Sequence, residues 1–133
     1  MSVGLVMVTH GAIGAAILEA AVRMLGHCPL EVELLQVGTD ADPDELREQT
    51  RRRIAAVDKG DGVLVLTDLY GGTPSNVARS LSDGRRVCMI SGVNLPMVVR
   101  ILNYPRLDAA ELAARAISGG RDGIFGSKAD EGG

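Results

Sequence analysis

Aromatic side chains are almost absent from this sequence. Its 133 residues include one Phe, two Tyr and no Trp. Proteins that hold single-stranded nucleic acid stack its bases on aromatic rings, and a flavin site would use such rings in the same way. The net charge of −3 gives no electrostatic attraction to nucleic acid or to an anionic membrane surface. We therefore expect no nucleic-acid partner and an aliphatic core.

Cysteines and long apolar runs are also scarce. The two cysteines, Cys28 and Cys88, lie far apart and form no C-x-x-C pair, which disfavours a disulfide framework and a zinc site. No apolar run approaches the roughly 18 residues of a membrane-spanning helix. The apolar segment 3–8 follows Met1 without the basic region typical of a signal peptide. We expect a cytoplasmic protein that uses no metal and no organic cofactor.

Short apolar runs and helical patterns alternate along the chain. The runs are continuous and bounded by Gly or polar residues, which is typical of parallel strands covered on both faces. The predicted strands are 3–8, 31–36, 62–67 and 86–91, and the predicted helices are 11–25, 42–57, one from about Ser75, 96–102 and 108–118. This order predicts an α/β fold: a doubly wound, mainly parallel open sheet with helices on both faces, a flavodoxin-like three-layer sandwich.

One histidine stands where ligands bind in such sheets, at the carboxyl end of a strand. His10 follows the first apolar run and precedes Gly11 at a helix start, where N–H groups and the helix dipole favour an anion such as phosphate. A capping role fits this position equally well. Asp68 ends the third run and favours a reactive His10 over a capping one. A carboxylate that binds one ring nitrogen leaves the other free as a nucleophile. His27, in a turn, reads as a surface residue.

A glycine-rich loop follows Asp68. The segment Gly71-Gly72-Thr73-Pro74-Ser75-Asn76 combines flexible backbone, two hydroxyls and a helix start, which suits an anion. The sequence has no G-x-S-x-G elbow, no P-loop and no G-x-G-x-x-G motif, so a hydrolase triad and nucleotide binding are unsupported. The residues alone predict a histidine that accepts a phosphoryl group.

Three loop sequences together resemble a known family. They are Val8-Thr9-His10-Gly11, Asp68-Leu69-Tyr70-Gly71-Gly72-Thr73-Pro74-Ser75-Asn76 and Ser91-Gly92-Val93-Asn94-Leu95-Pro96-Met97. In order and spacing they are similar to the IIA component of the mannose-type family of the bacterial phosphoenolpyruvate-dependent sugar phosphotransferase system. The likeness covers residues 1–125, which we predict to be the IIA domain, and leaves 126–133 as a polar, Gly-rich tail.

The resemblance implies a phosphotransferase that works as a phosphohistidine carrier. His10 would accept a phosphoryl group from phospho-HPr and pass it to a IIB component, which is linked to the membrane components IIC and IID during sugar uptake. Asp68 falls on the position that orients the histidine, and Thr73 and Ser75 fall on the loop beside the phosphoryl group. The predicted phosphoryl-binding residues are Gly11, Gly72, Thr73 and Ser75.

The resemblance also implies a homodimer in which a short C-terminal antiparallel strand is exchanged. The candidate here is Gly123-Ile124-Phe125, after a flexible joint at Gly119-Gly120. Packing of Ile124 and Phe125 on their own subunit, in a monomer, is the alternative. Two functional alternatives stay open: a regulatory phosphohistidine protein of an incomplete phosphotransferase system without transport, and a small-molecule-binding flavodoxin-like module, which needs no reactive histidine.

Overall fold

The computed structural model describes residues 2–127. Its strands and helices are β1 (Gly4–His10), α1 (Ile13–Leu25), β2 (Val32–Val37), α2 (Pro43–Val57), β3 (Val63–Thr67), α3 (Thr73–Leu81), β4 (Val87–Ser91), α4 (Leu95–Leu102) and α5 (Ala109–Asp122). The predicted order of elements is confirmed. Of the predicted tail 126–133, residues 128–133 lie outside the described residues. Within residues 2–127, each helix is too short or too polar to cross a membrane.

The four strands form one parallel sheet in the order β2-β1-β3-β4. The chain moves outward from β1 to β2 and then returns to the other side of β1 for β3 and β4, so the strand order reverses between β1 and β3. In doubly wound sheets, ligands bind at the carboxyl ends of the strands at this reversal. Val8 pairs with Thr67 in the β1–β3 register, so the residues that end β1 and follow β3 must meet there.

Two aliphatic clusters separate the sheet from its helices. Successive side chains of a strand point to opposite faces of the sheet. The two faces of β1 and β3 therefore carry different types of side chain. One face carries Leu and Met against α1, α4 and α5, and the other carries Val against α2 and α3. The buried strand residues are Leu5, Met7, Leu64 and Leu66 on the first face and Val6, Val8, Val63 and Val65 on the second. The predicted three-layer α/β fold is confirmed.

Helix α5 runs past the predicted end at Ser118. Gly119 and Gly120, predicted as a flexible joint, are buried inside it. A Cβ on Gly119 would lie 2.6 Å from the Cβ of Arg100, and a Cβ on Gly120 would lie 2.9 Å from the Cε of Met97. The prediction of a joint is therefore wrong. The two glycines allow α5 to approach α4 closely and do not provide a hinge.

The segment after α5 forms no strand within the described part of the chain. The N–H groups of Gly123 and Ile124 donate to the carbonyls of Gly119 and Arg121, which continues the helical turn. The side chains of Ile124 and Phe125 are 75% and 76% exposed. Packing of these two residues on their own subunit is thus not observed, and exchange of the segment between subunits stays a prediction.

Candidate functional site

The backbone around His10 is held by three hydrogen bonds. Gly11 has φ +53°, a left-handed conformation that suits glycine, and turns the chain out of β1, so that α1 begins at Ile13 and not at Gly11. The N–H of Gly11 donates to the carbonyl of Val37 at 3.0 Å. The hydroxyl of Thr9 accepts the main-chain N–H of Gly14, in the first turn of α1, at 2.8 Å. The third bond runs from the main-chain N–H of His10 to the carboxylate of Asp68, the residue that follows β3.

The carboxylate of Asp68 contacts both the main chain and the ring of His10. The carboxylate oxygen Oδ2 accepts the main-chain N–H of His10 at 2.9 Å, and the ring nitrogen Nδ1 lies 3.0 and 3.1 Å from the two carboxylate oxygens. An ionised carboxylate can only accept hydrogen bonds, so this pairing assigns the ring proton to Nδ1. The lone pair of Nε2 is therefore free, as the sequence predicted for a nucleophilic imidazole.

The carboxylate is nearly enclosed, whereas the imidazole is open. The exposed fraction of the side chain is 10% for Asp68 and 44% for His10. Burial alone would raise the pKa of Asp68, but the hydrogen bonds from the main chain and ring of His10 outweigh it and hold this pKa below its usual value. Asp68 is thus ionised at neutral pH, where it can fix the ring and balance a positive charge on it.

The N-terminus of α3 faces the free side of the imidazole. A Cβ on Gly72 would lie 3.3 Å from Cε1 and 3.8 Å from Nε2 of His10, so the absent side chain leaves this space open. The N–H of Gly72 donates to the carbonyl of Leu69 at 3.2 Å. Helix α3 begins at Thr73, two residues before the predicted start. The first-turn N–H groups of Thr73 and Ser75 have no carbonyl partner within the helix, and Pro74 has no N–H.

The structure thus shows which atoms of the predicted phosphoryl-binding residues already have hydrogen-bond partners within the protein. The main-chain N–H groups of Gly11 and Gly72 already donate to the carbonyls of Val37 and Leu69 in this conformation, so their role in binding a phosphoryl group stays a prediction. The side chain of Ser75 also points inward: its hydroxyl is 2.8 Å from that of Ser91, and the residue is 2% exposed. Among the main-chain donors of these residues, the N–H groups of Thr73 and Ser75 remain.

Sequence reasoning missed an apolar rim at this edge of the sheet. Leu69 and Tyr70, which follow Asp68, are 60% and 73% exposed, and Ile13 at the start of α1 is 46% exposed. The signal was available, because Leu69 and Tyr70 lie in a loop outside any periodic apolar run.

His27, the second histidine, lies in the exposed turn between α1 and β2, at the opposite end of the strands from His10.

The donor set of the site is one imidazole and one carboxylate. Within the described range 2–127, no group of three or more His, Cys, Asp or Glu side chains is arranged to hold a metal ion. The imidazole, the oriented carboxylate and the open helix N-terminus together suit a nucleophile that attacks an anionic group. At the same edge, Asn94 caps α4 by accepting the main-chain N–H of Met97 at 2.9 Å.

Comparison with protein families gives the same assignment as the resemblance. The family model described as "PTS system fructose IIA component" matches residues 4–117. The mannose-specific EIIAB component of the phosphotransferase system of Escherichia coli is 34% identical over 134 residues, which is 97% of this chain and 41% of that protein. The fructose-specific EIIA component of Bacillus subtilis is 36% identical over 59 residues, covering 44% of this chain and 40% of that protein. The matched segment therefore spans about two fifths of the length of each of these relatives.

Solved structures with this fold include two phosphotransferase components. The mannose/sorbose-specific IIA subunit from Enterococcus faecalis is 25% identical, with a TM-score of 0.77 over 95% of each chain. Component EIIA from Streptococcus agalactiae, 24% identical, has a TM-score of 0.80 over 96% of this chain and 98% of that one, and supports the fold. Since the family model covers most of the sequence, this chain belongs to the mannose/fructose IIA family of the sugar phosphotransferase system, a family of phosphotransferases.

Proposed function

We propose that this protein is a phosphohistidine carrier in which Nε2 of His10 accepts a phosphoryl group from phospho-HPr and passes it to a IIB component. The observation that carries the proposal is the contact of Nδ1 with both carboxylate oxygens of Asp68, at 3.0 and 3.1 Å, which leaves Nε2 as the free nitrogen. Family membership supports the direction of transfer from carrier to carrier.

The transfer is an in-line displacement between two nitrogen nucleophiles. The lone pair of Nε2 attacks phosphorus, and the N–P bond of the donor breaks with its electron pair returning to the donor imidazole. The proton on Nδ1 stays in place, so the phosphorylated ring of His10 carries a positive charge that the carboxylate of Asp68 balances. Positioning and charge stabilisation supply most of the catalysis in phosphoryl transfer. In the second half-reaction the acceptor on IIB attacks phosphorus, and Nε2 regains its lone pair.

The start of α3 would hold the phosphoryl oxygens. The N–H groups of Thr73 and Ser75 lie in the first turn, where the positive end of the helix dipole adds to their attraction for an anion. The hydroxyl of Thr73 can add a third donor. Gly72 contributes space beside Nε2, and Gly11 contributes the left-handed turn that presents the ring.

Enzymatic labelling tests this function directly. The protein is incubated with phosphoenolpyruvate, the first general enzyme of the system and HPr, and its intact mass is measured. We expect the mass of one phosphoryl group, in a bond that is acid-labile and base-stable because it is a phosphoramidate. Addition of a mannose-type IIB component from the same organism should then remove the label. A protein that gains no phosphoryl group under these conditions would contradict the proposal.

We further propose that the protein is a homodimer completed at the free edge of β4. This strand ends the sheet, and an unpaired strand edge can take a strand from another chain. A cleft beside it is lined by Tyr70, Met89 and Ile117, among other residues. The segment that follows α5, with Phe125 exposed, has the apolar character that would fill this cleft on a second copy. The IIA domain would then span residues 1–125, as the sequence predicted.

A further inference from the structure

Three hydroxyl side chains form a row behind the glycine-rich loop. The Oγ1 of Thr67 lies 2.8 Å from the Oγ of Ser91, and the same Ser91 oxygen lies 2.8 Å from the Oγ of Ser75. Thr67 ends β3, Ser91 ends β4 and Ser75 belongs to the first turn of α3. The row therefore joins the three elements that meet on this side of the site, and we refer to these three residues as the hydroxyl row.

The two outer members of the hydroxyl row are enclosed by protein. Thr67 is 0% exposed and Ser75 is 2% exposed. Buried hydroxyls are almost always hydrogen-bonded, and within the described residues every buried side-chain nitrogen or oxygen has a partner. Ser91 is the member that both outer hydroxyls share, so the row depends on its single oxygen.

The hydroxyl row constrains α3 in a way that its apolar contacts do not. The buried residues Val77 and Ala78 of α3 pack in the valine-rich cluster. Apolar contacts are non-directional, so they hold the helix against the sheet without fixing its position along the strands. A hydrogen bond is directional and short-ranged, and the one between the hydroxyls of Ser91 and Ser75 fixes the first turn of α3.

Both ends of the hydroxyl row lead to the site. Thr67 is the residue before Asp68, whose carboxylate holds His10. Ser75 lies in the first turn of α3 and supplies one of the two N–H groups that we propose to bind the phosphoryl oxygens. The row thus connects the residue before Asp68, which orients His10, to the first turn of α3, which we propose to bind the phosphoryl oxygens.

We infer that Ser91 is a positioning residue for phosphoryl transfer, which it promotes by holding the N-terminus of α3 in register with the strand that precedes Asp68. Ser91 acts through Thr67 and Ser75 and does not touch the phosphoryl group. This inference rests on the proposed function. A displacement of about 1 Å at a reacting centre can cost on the order of 100-fold in rate, so a loosened helix start should slow transfer measurably.

The test compares Ser91→Ala with Ser91→Thr, which keeps the hydroxyl. Ser80→Ala is the matched control, since the hydroxyl of Ser80 lies in α3 away from the site, where it donates to the carbonyl of Val77 and accepts from Arg47. Single-turnover transfer from phospho-HPr is measured over a range of HPr concentrations. We expect Ser91→Ala to lower the maximal rate about tenfold or more with the half-saturating HPr concentration unchanged, Ser91→Thr to restore the rate, and Ser80→Ala to match the unmodified protein.

A second measurement needs no phosphoryl transfer. The N–H of Asn76 donates to the carbonyl of Gly72 at 3.0 Å, the first main-chain hydrogen bond of α3. Amide hydrogen exchange at Asn76 should accelerate in Ser91→Ala and not in Ser80→Ala, and Ser91→Thr should restore the slow exchange. A maximal transfer rate in Ser91→Ala within twofold of the unmodified protein, a loss that Ser91→Thr does not recover, or unchanged exchange at Asn76 would overturn the inference. Failure of the unmodified protein to accept a phosphoryl group would instead overturn the proposed function.

Discussion

The carboxyl edge of the sheet at β1 and β3 differs sharply from the free edge of β4. At the first edge the polar side chains of one chain pair with each other, and the carboxylate of Asp68 alone makes three contacts with His10. Along the second edge apolar side chains stay in solvent, with Ile124 and Phe125 more than 70% exposed. The His10–Asp68 pair is thus assembled inside one chain, whereas the surface beside β4 is where we propose that a second copy binds. Substitutions at the two edges should therefore affect different properties.

The largest expected effect is at the nucleophile. His10→Ala should abolish labelling by phospho-HPr, because it removes the only ring nitrogen that the site presents. His27→Ala is the matched control, since His27 lies in an exposed turn at the opposite end of the strands. It should be labelled as fast as the unmodified protein. Intact mass after incubation reports both results, and labelling that survives His10→Ala would refute the mechanism.

The next largest effect is at the orienting carboxylate. In Asp68→Asn the amide can present its NH₂ to Nδ1, which favours the wrong tautomer, and the charge that balances the phosphorylated ring is lost. A comparable change in a serine protease cost on the order of 10⁴ in rate. We expect a smaller loss here, because the imidazole is itself the nucleophile.

The control for the carboxylate is Asp40→Asn, which removes a carboxylate from the exposed loop after β2 at the same edge of the sheet. Both variants should fold, and single-turnover kinetics with phospho-HPr should separate them. If Asp68→Asn transfers within a factor of two of the unmodified protein, Asp68 is not the residue that orients the ring.

At the β4 edge the expected effect is on assembly. Light scattering should find a dimer for the unmodified protein and a monomer for the variant that carries Ile124→Ser and Phe125→Ser together. Met24→Ser is the control, because Met24 is an apolar residue of α1 that is 66% exposed and lies away from this edge. Truncation after Ser118 is unsuitable, since α5 continues to Asp122. An unmodified protein that is monomeric at micromolar concentration and still accepts phosphate from HPr would show that the dimer is not required.

Two neighbouring glycines of α5 should differ in how they tolerate a methyl group. In Gly119→Ala the new Cβ meets the Cβ and Cγ of Arg100 at 2.6 and 2.8 Å, close to the backbone of α4. Overpacking of this kind costs about 1–3 kcal/mol of unfolding free energy, which exceeds or offsets the gain of about 1 kcal/mol in helix propensity. In Gly120→Ala the methyl meets the flexible tip of Met97. Urea denaturation should rank Gly119→Ala below Gly120→Ala in stability, and the reverse order would refute this view of the α4–α5 contact.

The smallest expected effect is a pH dependence. The pKa of Asp68 is lower in the folded protein than its ordinary value of 3.8. The carboxylate therefore contributes stability that is complete well above 3.8 and is lost as the pH falls through the lower, folded pKa. The difference in unfolding free energy between the unmodified protein and Asp68→Asn should be constant near neutral pH and should shrink in acid. A difference that does not change down to the acid transition would contradict the assigned ionisation.

The sequence predicted the order of elements and the pairing of His10 with Asp68, because apolar runs mark strands and parallel strands end at a shared edge. It could not predict which main-chain donors are already used, since the bond from Gly11 to Val37 depends on how β1 and β2 meet. The pairing of Thr67 with Ser91 likewise depends on the register of β3 and β4. Gly119 was misjudged because flexibility and close packing both favour glycine, and only the neighbouring helix distinguishes them.

The central claim is that Asp68 leaves Nε2 of His10 as the phosphoryl acceptor. Heteronuclear NMR of the phosphorylated protein, with its histidine nitrogens isotopically labelled, measures directly which ring nitrogen is bonded to phosphorus. The account predicts that Nε2 of His10 couples to phosphorus and that Nδ1 keeps its proton. A phosphoryl group on Nδ1 would contradict it, because that nitrogen would have to leave the carboxylate that holds it at 3.0 Å.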